Sequence, residues 1–392
     1  MEKTYFYHLK IRLQTLTVFR DLLKDQVFSA LYSYLDSPSE GAYAEFVSLL
    51  YHTNGGNLAE YIKDICENSE NVFLRTIGNG QAVSDAIKQC TAEELNTLQA
   101  AADLTPIQLR QPLEWEGFLP EFASGGINLS ECFAYRVKNI GRCGYGIYAK
   151  NRMFCVDELC RIVPVNHPDA TELSDLVDYE EERQVIISNT KALLEGKPAA
   201  NILLTGDAGT GKSSTVKAVG NALFADGLRI IELRKDQLRA IPNILDTLAG
   251  NPLKFVIFID DLSFLKDDDN FNALKAVLEG SVSAKSSNVV IYATSNRRHI
   301  VKEKFSDREG DDVHRSETMQ ELLSLSERFG IHITFQKPNK KTFLHIIHHL
   351  AEINGISIPD DELEAKAERF ALERGGRSAR LARQFIDGLL SM

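Results

Sequence analysis

The chain has 392 residues, which is enough for roughly two or three domains that each bury a hydrophobic core. Apolar residues make up 44% of the chain and charged residues 25%, a balance that excludes a largely disordered protein. The net charge of -11 argues against a protein that coats nucleic acid, and no apolar run has the length of a membrane span, so we expect a cytoplasmic protein with no membrane partner.

Residues 1–165 predict a mixed, mainly helical N-terminal domain, whose role the sequence does not indicate. Near the start of the chain, apolar side chains recur every three or four positions, which is typical of an amphipathic helix or a helical hairpin. A further helix is expected over 42–65, and another from Thr91, where the sequence TAEE resembles a capping box. From about residue 113 the sequence becomes Gly-rich, aromatic and strand-like.

A domain boundary is predicted near residue 166, where Pro168 and an acidic run interrupt the earlier pattern. Residues 166–338 then predict an α/β domain with a five-stranded parallel sheet between helices, because apolar runs alternate with helical segments. Residues 339–392 predict a C-terminal helical lid. The five predicted strands are 201–205, 228–233, 254–260, 288–294 and 331–335.

The sequence GDAGTGKSS lies between the first of these strands and a predicted helix, and it fits the phosphate-binding pattern G-x-x-x-x-G-K-[ST]. Glycines allow the backbone to fold around an anion, and its N–H groups and the helix N-terminus supply partial positive charge. The alternative is a glycine turn that only connects strand to helix. The predicted phosphate-binding residues are Gly206, Asp207, Ala208, Gly209, Thr210, Gly211, Lys212, Ser213 and Ser214.

Two adjacent carboxylates, Asp260 and Asp261, follow the third predicted strand, at the sheet edge where the phosphate loop should also lie. We expect Asp260 and the hydroxyl of Ser213 to hold Mg²⁺, and Asp261 to act as a general base toward water. An ordinary solvated turn is the alternative.

Further polar groups suited to a γ-phosphate occur later in the chain. Asn296 ends the fourth predicted strand and is a candidate to orient the attacking water, although asparagine is also common in turns. Arg328 precedes the fifth strand, and the last helical segment carries Arg377, Arg380 and Arg383. Guanidinium groups suit phosphate oxygens, but arginines on solvated helix faces are commonplace.

Together these motifs resemble the AAA+ ATPases over about residues 170 to 392. More narrowly, the stretches ATSNRRH, LSLSERFG, DDLSF and ALKAVLEGS resemble the bacterial AAA+ family catalogued as domain of unknown function 815. The resemblance implies a P-loop NTPase fold that binds ATP and Mg²⁺. It also implies a role for each motif: Walker A for 206–213, Walker B for Asp260 and Asp261, sensor 1 for Asn296, an arginine finger for Arg328, and sensor 2 for Arg380 with Arg377 as its rival.

The Asp-Asp pair departs from the Asp-Glu pair of most AAA+ proteins. Aspartate is one methylene shorter than glutamate, so Asp261 is expected to hold water less closely and hydrolysis to be slow. Because an arginine finger completes the site of a neighbouring subunit, the resemblance also implies a homo-oligomer, either a ring or an open helical assembly.

The expected function is an ATPase that couples ATP binding and hydrolysis to conformational remodelling of an unknown protein partner. One alternative is a nucleotide-gated nucleic-acid binder or loader, for which the Asp-Asp pair and the basic residues Arg297, Arg298 and His299 argue. Another is a slowly hydrolysing ATP switch.

Overall fold

A computed structural model describes residues 2–262, 269–279, 287–296 and 327–391. The chain forms two compact units. The first unit contains Met1–Lys150 and Gly250–Leu253, and the second contains Asn151–Ala249 and Lys254–Met392. This division falls earlier in the chain than the boundary that the sequence predicts near residue 166.

The first unit is built from helices that surround a core of aliphatic and aromatic side chains. Polar residues begin several of them: the side chains of Asp25, Ser39 and Asn57 each accept a hydrogen bond from a backbone N–H in the first turn of the helix that follows. The helices are α1 (Glu2–Gln14), α2 (Gln26–Asp36), α3 (Glu40–Asn54), α4 (Leu58–Glu67), α5 (Val72–Gly78), α6 (Asp85–Ala102), α7 (Pro106–Arg110), α8 (Leu129–Lys138), α9 (Ile140–Cys143) and α10 (Ile147–Lys150).

Two local expectations for this region differ from the structure. Helix α6 begins at Asp85 rather than near Thr91, because Ser84 accepts the first-turn hydrogen bond and Thr91 instead donates to the Ile87 carbonyl inside the helix. The segment after residue 113 is mostly loop and helix, and its strands come only at its end.

The second unit contains a seven-stranded sheet with the order β2-β1-β4-β5-β6-β3-β7. All pairings are parallel except that of β1 with β2. The five strands that the sequence predicts are confirmed, whereas β1 and β2 were not expected in this sheet. The strands are β1 (Met153–Val156), β2 (Ile162–Pro164), β3 (Ile202–Gly206), β4 (Leu228–Leu233), β5 (Lys254–Ile259), β6 (Val289–Ser295) and β7 (Ile331–Phe335).

Helices accompany this sheet, and the last three form the predicted lid around their own apolar core. Asn339 and Ser378 cap the first and third lid helices through their side chains. Among the helices in the described residues, none combines the length and apolar character needed to cross a membrane. The helices are α11 (Glu180–Leu194), α12 (Lys212–Ala222), α13 (Ile241–Leu248), α14 (Asp269–Glu279), α15 (Lys340–Ile353), α16 (Asp360–Glu373) and α17 (Ala379–Leu390).

Candidate functional site

The phosphate loop connects β3 to α12, and its three glycines have backbone angles that other residues rarely adopt. Gly206 has φ 143°, and a Cβ placed there would lie 2.1 Å from the carbonyl oxygen of Phe335 in the neighbouring strand β7. Gly211, with φ 91°, directly precedes the first turn of α12. The loop can therefore turn sharply and direct the N-terminus of α12 toward an anion.

Lys212 is 5% exposed, and its ammonium group donates hydrogen bonds to the phosphate loop and to Asn296. Its Nζ lies 2.9 Å from the Gly206 carbonyl oxygen, 2.8 Å from that of Asp207 and 3.1 Å from Asn296 Oδ1. Burial lowers the pKa of the Lys212 ammonium, and the nearby carboxylates, led by Asp260, oppose that shift. The hydrogen bond from Lys212 to Asn296 thus links the phosphate loop to the end of β6.

Asp260 follows β5 and accepts two hydroxyl hydrogen bonds on the same carboxylate oxygen. Ser213 Oγ lies 2.6 Å from Asp260 Oδ1, and Thr294 Oγ1 lies 2.5 Å from it. Carboxylate and hydroxyl oxygens are hard ligands of the kind Mg²⁺ prefers. The Mg²⁺ expected from Ser213 and Asp260 therefore fits this donor set, and Thr294 is an additional residue that holds Asp260 in place.

Asp261 adopts a left-handed backbone conformation, with φ 53°. Its N–H donates to Thr294 Oγ1 at 2.9 Å, and its Oδ1 accepts a hydrogen bond from Asn296 Nδ2 at 2.7 Å. Asn296 thus binds Lys212 through its carbonyl oxygen and Asp261 through its amide nitrogen. The ends of β5 and β6 and the phosphate loop meet in one continuous hydrogen-bonded chain.

The structure distinguishes between the two candidate lid arginines. Arg380 lies in the first turn of α17, where its backbone N–H donates to the Gly209 carbonyl at 3.2 Å, and the residue lines the same cavity as the phosphate loop. Arg377 instead pairs with Glu368, with its Nε and Nη2 at 2.8 and 2.5 Å from the two carboxylate oxygens. Arg383, one turn after Arg380, also lines the cavity.

Arg328 is placed differently from the other candidates. Its Nη2 lies 2.5 Å from Glu279 Oε1 at the end of α14, and it does not line the phosphate-loop cavity within the described part of the chain. Arg297, Arg298 and His299, which suggested a nucleic-acid binder, lie outside the described residues.

The cavity beside the phosphate loop has a volume of about 500 Å³ and two chemically different walls. One wall carries the charged and polar groups described above. The other is apolar and includes Leu176 and Val177 before α11 and Ile346 and Leu350 on α15. Sequence reasoning missed this wall, and its only local signal is an apolar pair within the acidic stretch before α11. The arrangement suits a ligand with a polyanionic part and an apolar part.

Tyr179 fixes the segment that carries part of the apolar wall. Both Asp178 and Tyr179 are left-handed, with φ 60° and 63°. The Tyr179 hydroxyl donates to the Gln336 carbonyl at 2.6 Å, and its ring centroid lies 5.2 Å from that of Phe335. Burial raises the pKa of Tyr179 to about 12, so the hydroxyl stays protonated and able to donate at neutral pH.

None of the curated proteins matches the chain. Among solved structures, a point mutant of RuvB from Thermotoga maritima is 16% identical to this chain, with a TM-score of 0.39. The match covers 57% of this chain and 65% of the RuvB chain, so it spans less than two thirds of the length of that RuvB chain. The Thermotoga maritima RuvB Holliday junction branch migration motor is 15% identical, with a TM-score of 0.34 and coverage of 56% and 72%. The sequence model of the family described as "Protein of unknown function (DUF815)" matches residues 150–392, and the chain therefore belongs to that family.

Proposed function

We propose that this protein is a Mg²⁺-dependent ATPase of the AAA+ type that hydrolyses ATP slowly and uses the cycle to remodel a protein partner. The observation that carries the proposal is the hydrogen-bonded chain from Lys212 through Asn296 to Asp261, beside the Ser213–Asp260 pair. It joins the groups that bind phosphate to the group that can accept a proton from water.

We assign ATP binding to both walls of the cavity. The backbone N–H groups of the loop at 206–214 and the ammonium of Lys212 suit the phosphates, and the apolar wall suits the adenine ring. Ser213 and Asp260 would hold Mg²⁺, which neutralises charge on the phosphate oxygens when it is bound. Arg380 adds a further positive charge from the lid.

Hydrolysis requires Asp261 and Asn296 to act on water. The water oxygen forms a bond to the γ-phosphorus, the bond from that phosphorus to the bridging oxygen of ADP breaks, and Asp261 accepts the proton. Lys212 donates to Asn296 in the structure, and a negatively charged γ-phosphate is a stronger acceptor for that ammonium. Transfer of Lys212 to the phosphate would leave the Asn296 carbonyl oxygen free to accept a hydrogen bond from the water.

Slow turnover follows from the length of the Asp261 side chain. Aspartate reaches one methylene less far than glutamate, and poor placement of a catalytic group by about 1 Å can cost roughly a hundredfold in rate. A slowly hydrolysing switch is the limiting case of the same proposal.

Assembly into a ring or an open helix is proposed from Arg328. Its side chain lies by Glu279 rather than in the cavity of its own chain, and its charge suits a phosphate in a neighbouring copy. For the alternative function as a nucleic-acid loader, the Asp-Asp pair is the only supporting feature among the described residues.

Phosphate release from ATP tests the proposal in the purified full-length chain. We expect slow release that requires Mg²⁺, stops with EDTA and is absent in Lys212→Ala. Release that is equally fast with EDTA, or that persists in Lys212→Ala, would show that the cavity is not an ATPase site.

A further inference from the structure

The loop between α7 and α8 in the first unit presents large aromatic side chains to solvent. Residues 114–118 are all exposed, and the exposed fraction is 60% for Trp115 and 89% for Phe118. Nearby in the sequence, Ile107 of α7 is 72% exposed. Scattered exposed apolar residues are normal, but two aromatic rings within four residues of one loop need a reason.

Two side chains, Arg110 and Tyr43, hold the backbone that follows Phe118. Arg110 donates to the carbonyl oxygens of Leu119 and Pro120 at 2.6 and 2.7 Å, and to Glu121 Oε1 at 2.7 Å. The Tyr43 hydroxyl donates to the same Pro120 carbonyl at 2.7 Å. The backbone directly after Phe118 is therefore held by a charged group and a largely buried tyrosine.

The anchoring continues into the core. Phe122 is buried, and its ring meets that of Phe46 edge to face, with centroids 5.6 Å apart. Ala123 pairs with the chain before α4, with its N–H 2.7 Å from the Gly56 carbonyl oxygen and its own carbonyl oxygen 2.8 Å from the Leu58 nitrogen. Phe122 enters the core while Phe118, four residues earlier, stays in water. The backbone that follows the aromatic residues is thus anchored to the helical core.

This loop carries negative charge beside Trp115. Glu114 and Glu116 flank Trp115, and no ion pair joins either carboxylate to a basic side chain within the described residues. Glu121 differs, because Arg110 pairs with it. Two exposed aromatic residues with uncompensated carboxylates beside them complement an apolar surface that is bordered by positive charge.

We propose that residues 113–118 form a docking loop for a partner protein whose contact surface is an apolar pocket bordered by lysine or arginine. Phe118 and Trp115 fill the pocket, and Glu114 and Glu116 face its basic border. A loop that is anchored on one side loses less conformational entropy on binding than a free segment, which favours this use. A membrane suits the loop less well, because carboxylates are repelled by anionic headgroups.

Trp115 makes the docking loop directly observable, because the chain contains one tryptophan. The test titrates the full-length protein with a short amphipathic peptide of leucine and lysine, and with a matched peptide that has glutamate in place of lysine. We expect the lysine peptide to shift Trp115 emission to the blue and to protect it from acrylamide quenching. The glutamate peptide should do neither, and added salt should weaken the response to the lysine peptide.

Variants separate docking from general attraction to an acidic protein. Phe118→Ser should weaken the peptide affinity at least about tenfold, since burial of a phenylalanine contributes on the order of one to two powers of ten. Glu114→Gln with Glu116→Gln should remove most of the salt dependence. Tyr135→Ser is the matched control, since Tyr135 is an aromatic residue on α8 that is 67% exposed and lies outside the loop, and it should leave the affinity unchanged.

Three results would overturn the proposal. Trp115 emission that does not respond to the lysine peptide would do so, as would an equal response to both peptides or an unchanged affinity in Phe118→Ser. A blue shift with lipid vesicles but not with the peptide would assign the loop to a membrane instead. Unchanged circular dichroism and thermal unfolding of each variant show that the fold is intact.

Discussion

Lys212 and Asn296 are joined by a hydrogen bond of 3.1 Å, so the phosphate loop and the end of β6 are linked through the side chains expected to contact a γ-phosphate. Asn296 also binds Asp261 at 2.7 Å. We propose that this amide group transmits a change at the phosphate to Asp261, the proposed general base. This linkage leads to predictions that separate binding of ATP from its hydrolysis.

The backbone and the side-chain length of Asp261 predict opposite effects of glutamate at this position. With φ 53°, position 261 favours aspartate or asparagine, whose short side chains tolerate the left-handed region. Asp261→Glu should therefore destabilise the fold by about 1 kcal/mol, but it should raise turnover, because the longer side chain restores the missing methylene. Asp261→Asn should keep the stability and lose turnover. Thermal unfolding and phosphate release measure both, and an Asp261→Glu variant whose turnover is unchanged or lower would contradict the explanation of slow hydrolysis by side-chain length.

Removal of the Asp260 carboxylate charge should abolish the effect of Mg²⁺ on ATP affinity. Asp260 accepts hydrogen bonds from Ser213 and Thr294, and its negative charge would attract the proposed Mg²⁺. In Asp260→Asn, we expect ATP affinity to be the same with Mg²⁺ and with EDTA, whereas the wild type should bind more tightly with Mg²⁺. Titration with a fluorescent ATP analogue measures the difference. A retained Mg²⁺ effect would place the metal elsewhere.

Arg380 and Arg377 form a matched pair for testing the lid. Arg380 lines the cavity, whereas Arg377 is bound by Glu368. Arg380→Ala should weaken ATP binding about tenfold, as expected for the loss of a charge-assisted contact to phosphate. Arg377→Ala should leave ATP affinity unchanged. Equal losses in the two variants would mean that the lid acts only as a packed unit.

Arg328→Ala tests the proposed assembly. Because Arg328 pairs with Glu279 outside its own cavity, we expect unchanged ATP affinity together with turnover about a thousandfold lower in the assembled protein. Wild-type turnover per chain should rise with protein concentration, and that rise should vanish in the variant. Turnover that is independent of concentration in both proteins would argue against a shared site.

The sequence predicted those parts of the fold whose signals are local. Strands such as β3 and β5 are nearly continuous apolar runs, and the phosphate loop has a fixed spacing of glycines and lysine. The short strands β1 and β2 were not assigned to the sheet, because they span four and three residues and β1 is recognisable there only through its pairing with β4.

The rest of the site depends on tertiary contacts. The apolar wall combines Val177 with Ile346, which are far apart in the sequence and share no motif. The choice between Arg380 and Arg377 depends on where α17 begins and on the position of Glu368, a residue of another helix. No spacing rule in one sequence contains that information.

Asn296→Ala provides the most direct test of the proposed linkage between phosphate binding and proton transfer. The measurement is single-turnover phosphate release together with ATP affinity, with Asn243→Ala, at an exposed position on α13, as the control. We predict ATP affinity within about threefold of the wild type and phosphate release slower by about a hundredfold to a thousandfold. Phosphate release at the wild-type rate would contradict the role of Asn296 as the link between Lys212 and Asp261.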